Sequence, residues 1–149
     1  MVSISALKSS DRAEWLKLWD GYLTSYASDL EPSTTDATFA RLTTGDSGLN
    51  GALARNDDGT AVGLVHWLTH LSTWTTTDYC YLEDLFVAPG VRGTGVGRAL
   101  IEHVQRWAEQ NGSTKVYWLT AETNSVARGL YDQVATRTEF VQYELTLGD

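Results

Sequence analysis

Cysteine is almost missing from this chain of 149 residues: Cys80 is the only one. No disulfide can close within the chain, and no zinc site can be assembled from cysteine. No apolar run approaches the roughly 18 to 20 residues that a membrane-crossing helix requires, so no membrane span is expected. The opening stretch, MVSISALKSSDRAEW, lacks the basic and apolar regions of a secretory signal, and a reducing, cytoplasmic setting is the expectation. Basic residues are also scarce. Eleven Lys and Arg stand against nineteen Asp and Glu, a formal charge of −8. Nucleic acid is therefore excluded as the expected partner, because it needs a basic footprint, whereas an acidic surface steers cations inward. Low-complexity tracts, internal repeats and linkers are absent too. With 42% hydrophobic residues, one domain covering 1–149, with a single core, is expected.

What is present centres on Tyr79 to Leu100, YCYLEDLFVAPGVRGTGVGRAL. A β-branched and aromatic run ends at Pro89-Gly90, where a strand should stop. Gly93, Gly95 and Gly97 then alternate with Thr94 and Val96, and helical spacing follows from Arg98. Glycines let backbone N–H groups converge on an anion, and a helix starting behind them adds unpaired amides and the positive end of a dipole. Between Ala88 and Ile101 there are two arginines, Arg92 and Arg98, and no acid. This positive island in an acidic chain suggests a phosphate site.

Around it the pattern alternates between strand and helix. Ser3–Leu7 reads as a first strand. Asp11 and Glu14 have the spacing of a capping box before a helix carrying Trp15, Leu18, Trp19, Tyr22 and Tyr26 on one stripe. That stripe packs a core, and its far end, Tyr22 and Tyr26, could also line a substrate mouth. Glu31-Pro32-Ser33 breaks the chain before a short helix over 35–42. Strands are expected over 51–55 and 61–73, joined by a turn at Asn56–Thr60. A helix through Leu100, Val104, Trp107 and Ala108 ends near Asn111-Gly112. A buried strand over 115–120 follows, then a helix capped by Thr123 or Asn124 and a last strand over 140–147. The order implies one α/β domain with a mixed sheet. His66 and His70 share a strand face, but neither they nor His103 suggest a metal-ligand set, so structural or surface roles and no metal are expected. Cys80 reads as a small core residue.

Three phosphate motifs compete for the glycine loop. A P-loop needs a lysine followed by Ser or Thr, yet Arg98-Ala99 follows Gly97. A dinucleotide fingerprint needs G-x-G-x-x-G, and the final glycine is missing whether counted from Gly93 or Gly95. What remains is Arg92-x-x-Gly95-x-Gly97. This resembles the acetyl-coenzyme A loop of the GNAT family of N-acetyltransferases, (Gln/Arg)-x-x-Gly-x-(Gly/Ala). LEDLFV over 82–87 before it, and Asn124-Ser125-Val126-Ala127 with Leu130-Tyr131 after it, resemble the same family. The likeness covers nearly the whole chain and looks closest to the branch of spermidine/spermine and yeast histone/polyamine acetyltransferases.

The resemblance implies the GNAT fold, a mostly antiparallel mixed sheet flanked by helices and splayed between two central parallel strands. It implies acetyl-CoA as co-substrate, with the backbone of Leu85, Phe86 and Val87 along the pantetheine arm. Amides from Arg92 through Gly93, Thr94, Gly95, Val96 and Gly97 to Arg98 would take the pyrophosphate, and Asn124 would touch the cofactor. It points to Glu83 as general base through a water; the alternative is that Glu83 and Asp84 only bond neighbouring backbone or attract the acceptor's charge. As neighbours in a strand these two should face opposite ways unless a bulge intervenes. Tyr131, otherwise a core tyrosine of its helix stripe, matches the family's general acid for the thiolate. A cationic amine acceptor is implied, a polyamine, a diamine or amino acid, or a basic peptide, with Tyr22, Tyr26, Glu31, Asp84 and Glu122 as candidate contacts. A homodimer is expected. One departure is Ala135-Thr136 where the family often has Gly-Phe. The competing readings are an inactive acyl-CoA-binding domain and a nucleotide-binding α/β domain of another kind.

Overall fold

The computed structural model describes residues 1–148. Its longest pairing joins β3 (Ala61–Leu71) to β4 (Asp78–Val87) as antiparallel neighbours. β2 (Asn50–Arg55) returns through the Asn56–Thr60 turn to pair with β3, and β1 (Ser3–Ala6) pairs with β2. β5 (Ser113–Tyr117) runs parallel to β4, giving a five-stranded sheet in the order β1-β2-β3-β4-β5. The turn sits where two apolar runs are interrupted: Thr60 N–H donates to both Asn56 Oδ1, at 3.0 Å, and Asp58 Oδ1, at 2.9 Å.

Strand alternation sends side chains to two covered faces. On one face α1 (Arg12–Ser25) and α2 (Pro32–Thr44) bury Trp15, Leu18, Trp19, Phe39 and Leu42 against Leu53, Leu64 and Phe86. On the other, α3 (Val96–Gln110) buries Val96, Leu100, Ile101, Val104 and Ala108. Gly63 on β3 makes that approach close. A Cβ there would lie 3.1 Å from both Leu100 and Val96 and 3.2 Å from the Phe86 carbonyl oxygen. The chain divides into two units by internal contact, Met1–Leu119 and the residues from Thr120 onward. The second unit contains α4 (Ser125–Val134).

The structure corrects several sequence expectations. Pro32 starts α2 rather than ending an element, since its missing N–H costs nothing in a first helical turn. α3 begins at Val96, ahead of the expected Arg98, with Gly95 as its N-cap. Asp11 and Glu14 form no capping box. Arg55 reaches across from β2 and takes both carboxylates, at 3.0 Å and 2.5 Å, and its hydrogen bond holds the Glu14 carboxyl below its ordinary value. β5 is shorter than expected and only partly buried, because it ends the ladder. No strand forms over 140–147 among the described residues. An alternating pattern prepares one face of a strand, but a strand also needs a neighbour to hydrogen-bond, and this segment has none.

Candidate active site

The glycine loop adopts the backbone its composition calls for. Pro89–Val91 form a short 3₁₀ turn after β4, and Gly93 and Gly95 take φ of +83° and +91°. Side-chain-bearing residues avoid that region. Thr94 Oγ1 donates to the Val91 carbonyl at 2.5 Å, and Arg92 Nε donates to the Val87 carbonyl at 3.1 Å, tying the loop to the strand end. The Arg92 guanidinium also stands 5.6 Å over the Phe86 ring. The first intrahelical bond of α3 runs from Ala99 N–H to the Gly95 carbonyl. Amides before it have no carbonyl within the helix to meet, and no side chain caps them at Gly95. Open space surrounds both Gly93 and Gly95. A pyrophosphate of coenzyme A fits this cradle of amides and dipole.

β4 carries the second half of the site. Its parallel ladder to β5 covers Asp78 to Tyr81 and stops at Tyr81↔Tyr117. Leu82 to Val87 therefore keep β3 on one side and have no ladder partner on the other. Leu85 and Val87 are half-buried. The Phe86 side chain belongs to the core, so only its backbone can serve a ligand.

A β-bulge interrupts the β3–β4 register here. His66 pairs with Asp84 but Trp67 pairs with Leu82, leaving Glu83 as the extra residue. Extra residues of this kind interrupt strict alternation and re-aim side chains, and the Asp84 charge acts on the Glu83 carboxyl. Glu83 opens to solvent at its rim. Its carboxyl nevertheless has a raised pKa, first from partial desolvation and then from the charge of Asp84, while Arg41 and a protonated His66 would act the other way. The Tyr81 hydroxyl is also pushed up, by burial and then by the Glu83 charge.

Asp84 is held more firmly. Its Oδ2 lies 3.0 Å from His66 Nδ1, and Trp15 Nε1 lies 3.0 Å from His66 Nε2. Tyr22 adds a hydrogen bond to Asp84, and burial followed by the Asp84 charge drives the phenol far above its usual value, so it stays a donor. Tyr22 stacks on Trp19, with ring centroids 5.3 Å apart, and Tyr26, more than half exposed, lies 5.0 Å from Tyr22. Tyr22 therefore interacts with both Asp84 and Tyr26. Glu31 is exposed at the N-cap of α2, where its carbonyl accepts from Thr34 and Thr35 N–H.

Within the second unit Asn124 caps α4, its Oδ1 accepting from Ala127 N–H at 3.4 Å. Tyr131 lies on the second turn, half-buried. The Glu122 carboxylate pairs with Arg137 at 3.1 Å, and its carbonyl accepts from Arg128. Sequence alone assigns His66 a structural or surface role on a strand face shared with His70, and only the register sets it opposite Asp84. Cys80 is fully buried, with its thiol pushed up to about 11 by desolvation.

Residues 13–135 match the acetyltransferase (GNAT) family. The chain is 37% identical to the D-amino-acid N-acetyltransferase HPA3 of Saccharomyces cerevisiae, over 96% of its own length and 89% of that protein. It is 31% identical to the uncharacterized N-acetyltransferase YhfO of Bacillus subtilis, over 98% of each. Among solved structures, a ribosomal-protein-alanine N-acetyltransferase from Brucella melitensis superposes with a TM-score of 0.83 at 24% identity, covering 99% of this chain and 100% of that one. AAC(6')-Iy, in complex with the bisubstrate analog CoA-S-monomethyl-acetylneamine, gives 0.85 at 20% identity, covering 99% of both chains.

Proposed function

Because the chain belongs to the GNAT acetyltransferase family and is an N-acetyltransferase, we propose that it acetylates the primary amine of a small cationic or zwitterionic acceptor, in a ternary complex. The observation that carries this reading is the bulge at Glu83. It leaves Glu83 unpaired next to Asp84 on β4, beyond the point where the ladder to β5 ends and ahead of the glycine loop, which supports this reading. Bound acetyl-CoA supplies the activated thioester. The loop from Arg92 to Arg98 holds its pyrophosphate, and the free edge of Leu85 to Val87 hydrogen-bonds the pantetheine arm. Asp84 and Tyr22 hold the acceptor's ammonium. Glu83 takes a proton from it through a water, a task suited to a carboxylate with a raised pKa. Tyr131 returns a proton to the departing sulfur, and Asn124 supports the cofactor.

Within the acceptor classes, an amino acid has the best support. HPA3 is named for D-amino acids, and the exposed Arg41 on α2 lies near enough for its charge to act on Glu83. An ammonium would turn toward Glu83 and Asp84 while a carboxylate turned toward Arg41. The test is an acetyl-transfer screen across D- and L-amino acids, polyamines and basic peptides, repeated with Tyr131→Phe. Turnover on an amine that falls by about 10²-fold or more in the variant is expected for loss of a general acid. Binding of acetyl-CoA without turnover on any amine would leave only an acyl-CoA-binding domain. Thermal stabilisation by ATP or NAD but not by coenzyme A would remove the cofactor assignment.

A further inference from the structure

His66 is only 4% exposed and sits beneath the acceptor side of the site, on β3 opposite Asp84. Its ring is enclosed by Trp15 and Trp19, with centroids 6.1 Å and 5.3 Å away. An indole N–H can donate but never accept. At 3.0 Å from Trp15 Nε1, His66 Nε2 must therefore be the acceptor. The ring proton is then on Nδ1, where it meets Asp84 Oδ2 at 3.0 Å. Trp15 is itself 0% exposed and packs against Trp19 and Phe39, so the first donor in this chain cannot swing away. The carboxylate at the far end is mostly covered but keeps some access to solvent, its side chain 16% exposed. The result is a one-way hydrogen-bonded line from the core to the carboxylate next to Glu83.

We infer that Trp15 and His66 are positioning residues that fix the imidazole tautomer and so aim the Asp84 carboxylate at the acceptor's ammonium. This rests on the reading of Asp84 as an acceptor contact. Neither residue touches the substrate. A carboxylate with one oxygen held by a buried N–H presents its remaining lone pairs in a set direction, and misplacing such a group weakens binding and turnover together. The placement has a structural cost as well as a use. The bulge that brings Glu83 beside Asp84 breaks the strand register, and the His66 bond secures Asp84 immediately after that break.

The experiment compares His66→Leu, His66→Asn, Trp15→Phe and Asp84→Asn, using the best amine from the screen. Acceptor affinity is measured by calorimetry in the presence of coenzyme A, alongside KM for both substrates and Tm. Long-range imidazole ¹⁵N NMR on the unaltered protein reports the tautomer. Expected are a protonated Nδ1 on His66 and an acceptor KM raised about tenfold or more in His66→Leu with the acetyl-CoA KM unchanged. His66→Asn, whose amide can donate toward Asp84 from near the Nδ1 position, should recover much of that loss at a similar Tm. Trp15→Phe keeps a ring but removes the donor, and should weaken the acceptor less than His66→Leu. Should Asp84→Asn raise the acceptor KM while folded His66→Leu does not, the positioning role is lost and the acceptor reading stands. If Asp84→Asn has no effect on acceptor affinity, the acceptor reading itself is lost. A proton found on Nε2 overturns the inference even if the His66 variants fail to fold.

Discussion

Glu83 joins opposing demands in one side chain. Desolvation and the Asp84 charge raise its pKa above the ordinary 4.5. A carboxyl with a raised folded-state pKa binds more protons folded than unfolded. Its contribution to stability is present below the unfolded value and is lost as pH rises through the folded one. Glu83→Gln should therefore have a higher Tm than the unaltered protein at pH 7, an advantage that vanishes below about pH 4. The same variant should lose about 10²- to 10⁴-fold in kcat as a general base is removed. The kcat/KM of the unaltered protein should rise with pH through a value above the usual carboxylate range. A lower Tm at pH 7 in the variant would show that the ionised carboxylate is stabilising after all. Arg41 makes a separate prediction about specificity. Arg41→Ala should raise KM for amino acids about tenfold, as expected for losing one exposed charge-assisted hydrogen bond, and leave diamines unaffected. Equal effects on both acceptors would remove Arg41 from recognition.

At the scale of elements, the glycine loop and the Arg55 clasp behave differently. At Gly95, φ is +91° and nothing lies within 4 Å of where a Cβ would be. Gly95→Ala therefore meets no clash and should cost about 1 to 2 kcal/mol from backbone conformation alone. Coenzyme A affinity should fall further, by about tenfold, because the methyl group enters the anion cradle. Calorimetry on the variant checks both parts, and unchanged coenzyme A affinity would move the phosphate site elsewhere. The clasp concerns pH. Arg55 bonds Glu14 and Asp11, and the hydrogen bond to Glu14 lowers that carboxyl's pKa. Stability from a lowered carboxyl pKa is present above the unfolded value and lost as pH falls through the folded one. Arg55→Met should consequently show a flatter fall of Tm below pH 5 than the unaltered protein. Spacing suggested that Asp11 and Glu14 would cap α1, a local rule with a local partner. A guanidinium on a strand 41 residues from Glu14 offers charge as well as donors, and it prevails.

For the whole molecule, the segment after α4 poses the question of association. Val141, Tyr143, Leu145 and Leu147 alternate with polar residues, and each is at least 77% exposed. A row of this kind is uncommon on a monomer's surface. We propose that it meets a second copy of the chain, in line with the expected homodimer. A protein ending at residue 138 should then elute as a monomer where the full chain elutes as a dimer. Monomeric elution of the full chain would exclude the proposal.

Sequence by itself determined the elements and the loop. Helix α1 follows from the 3.6-residue spacing of its tryptophans, β3 and β4 from their β-branched and aromatic runs, and the φ-positive turns at Gly93 and Gly95 from residues that have no Cβ. Such signals are local, so a few consecutive residues contain them. The bulge at Glu83, the pairing of His66 with Asp84 and the capture of Glu14 by Arg55 were decided only by tertiary structure. Each depends on register or on partners far apart in the chain, and a one-residue shift in pairing would turn a strand's side chains to the other face. The loop proposed to grip the cofactor is thus legible in a short stretch of text. The carboxylate arrangement that would hold the amine comes into being only when β3 and β4 pair in this register.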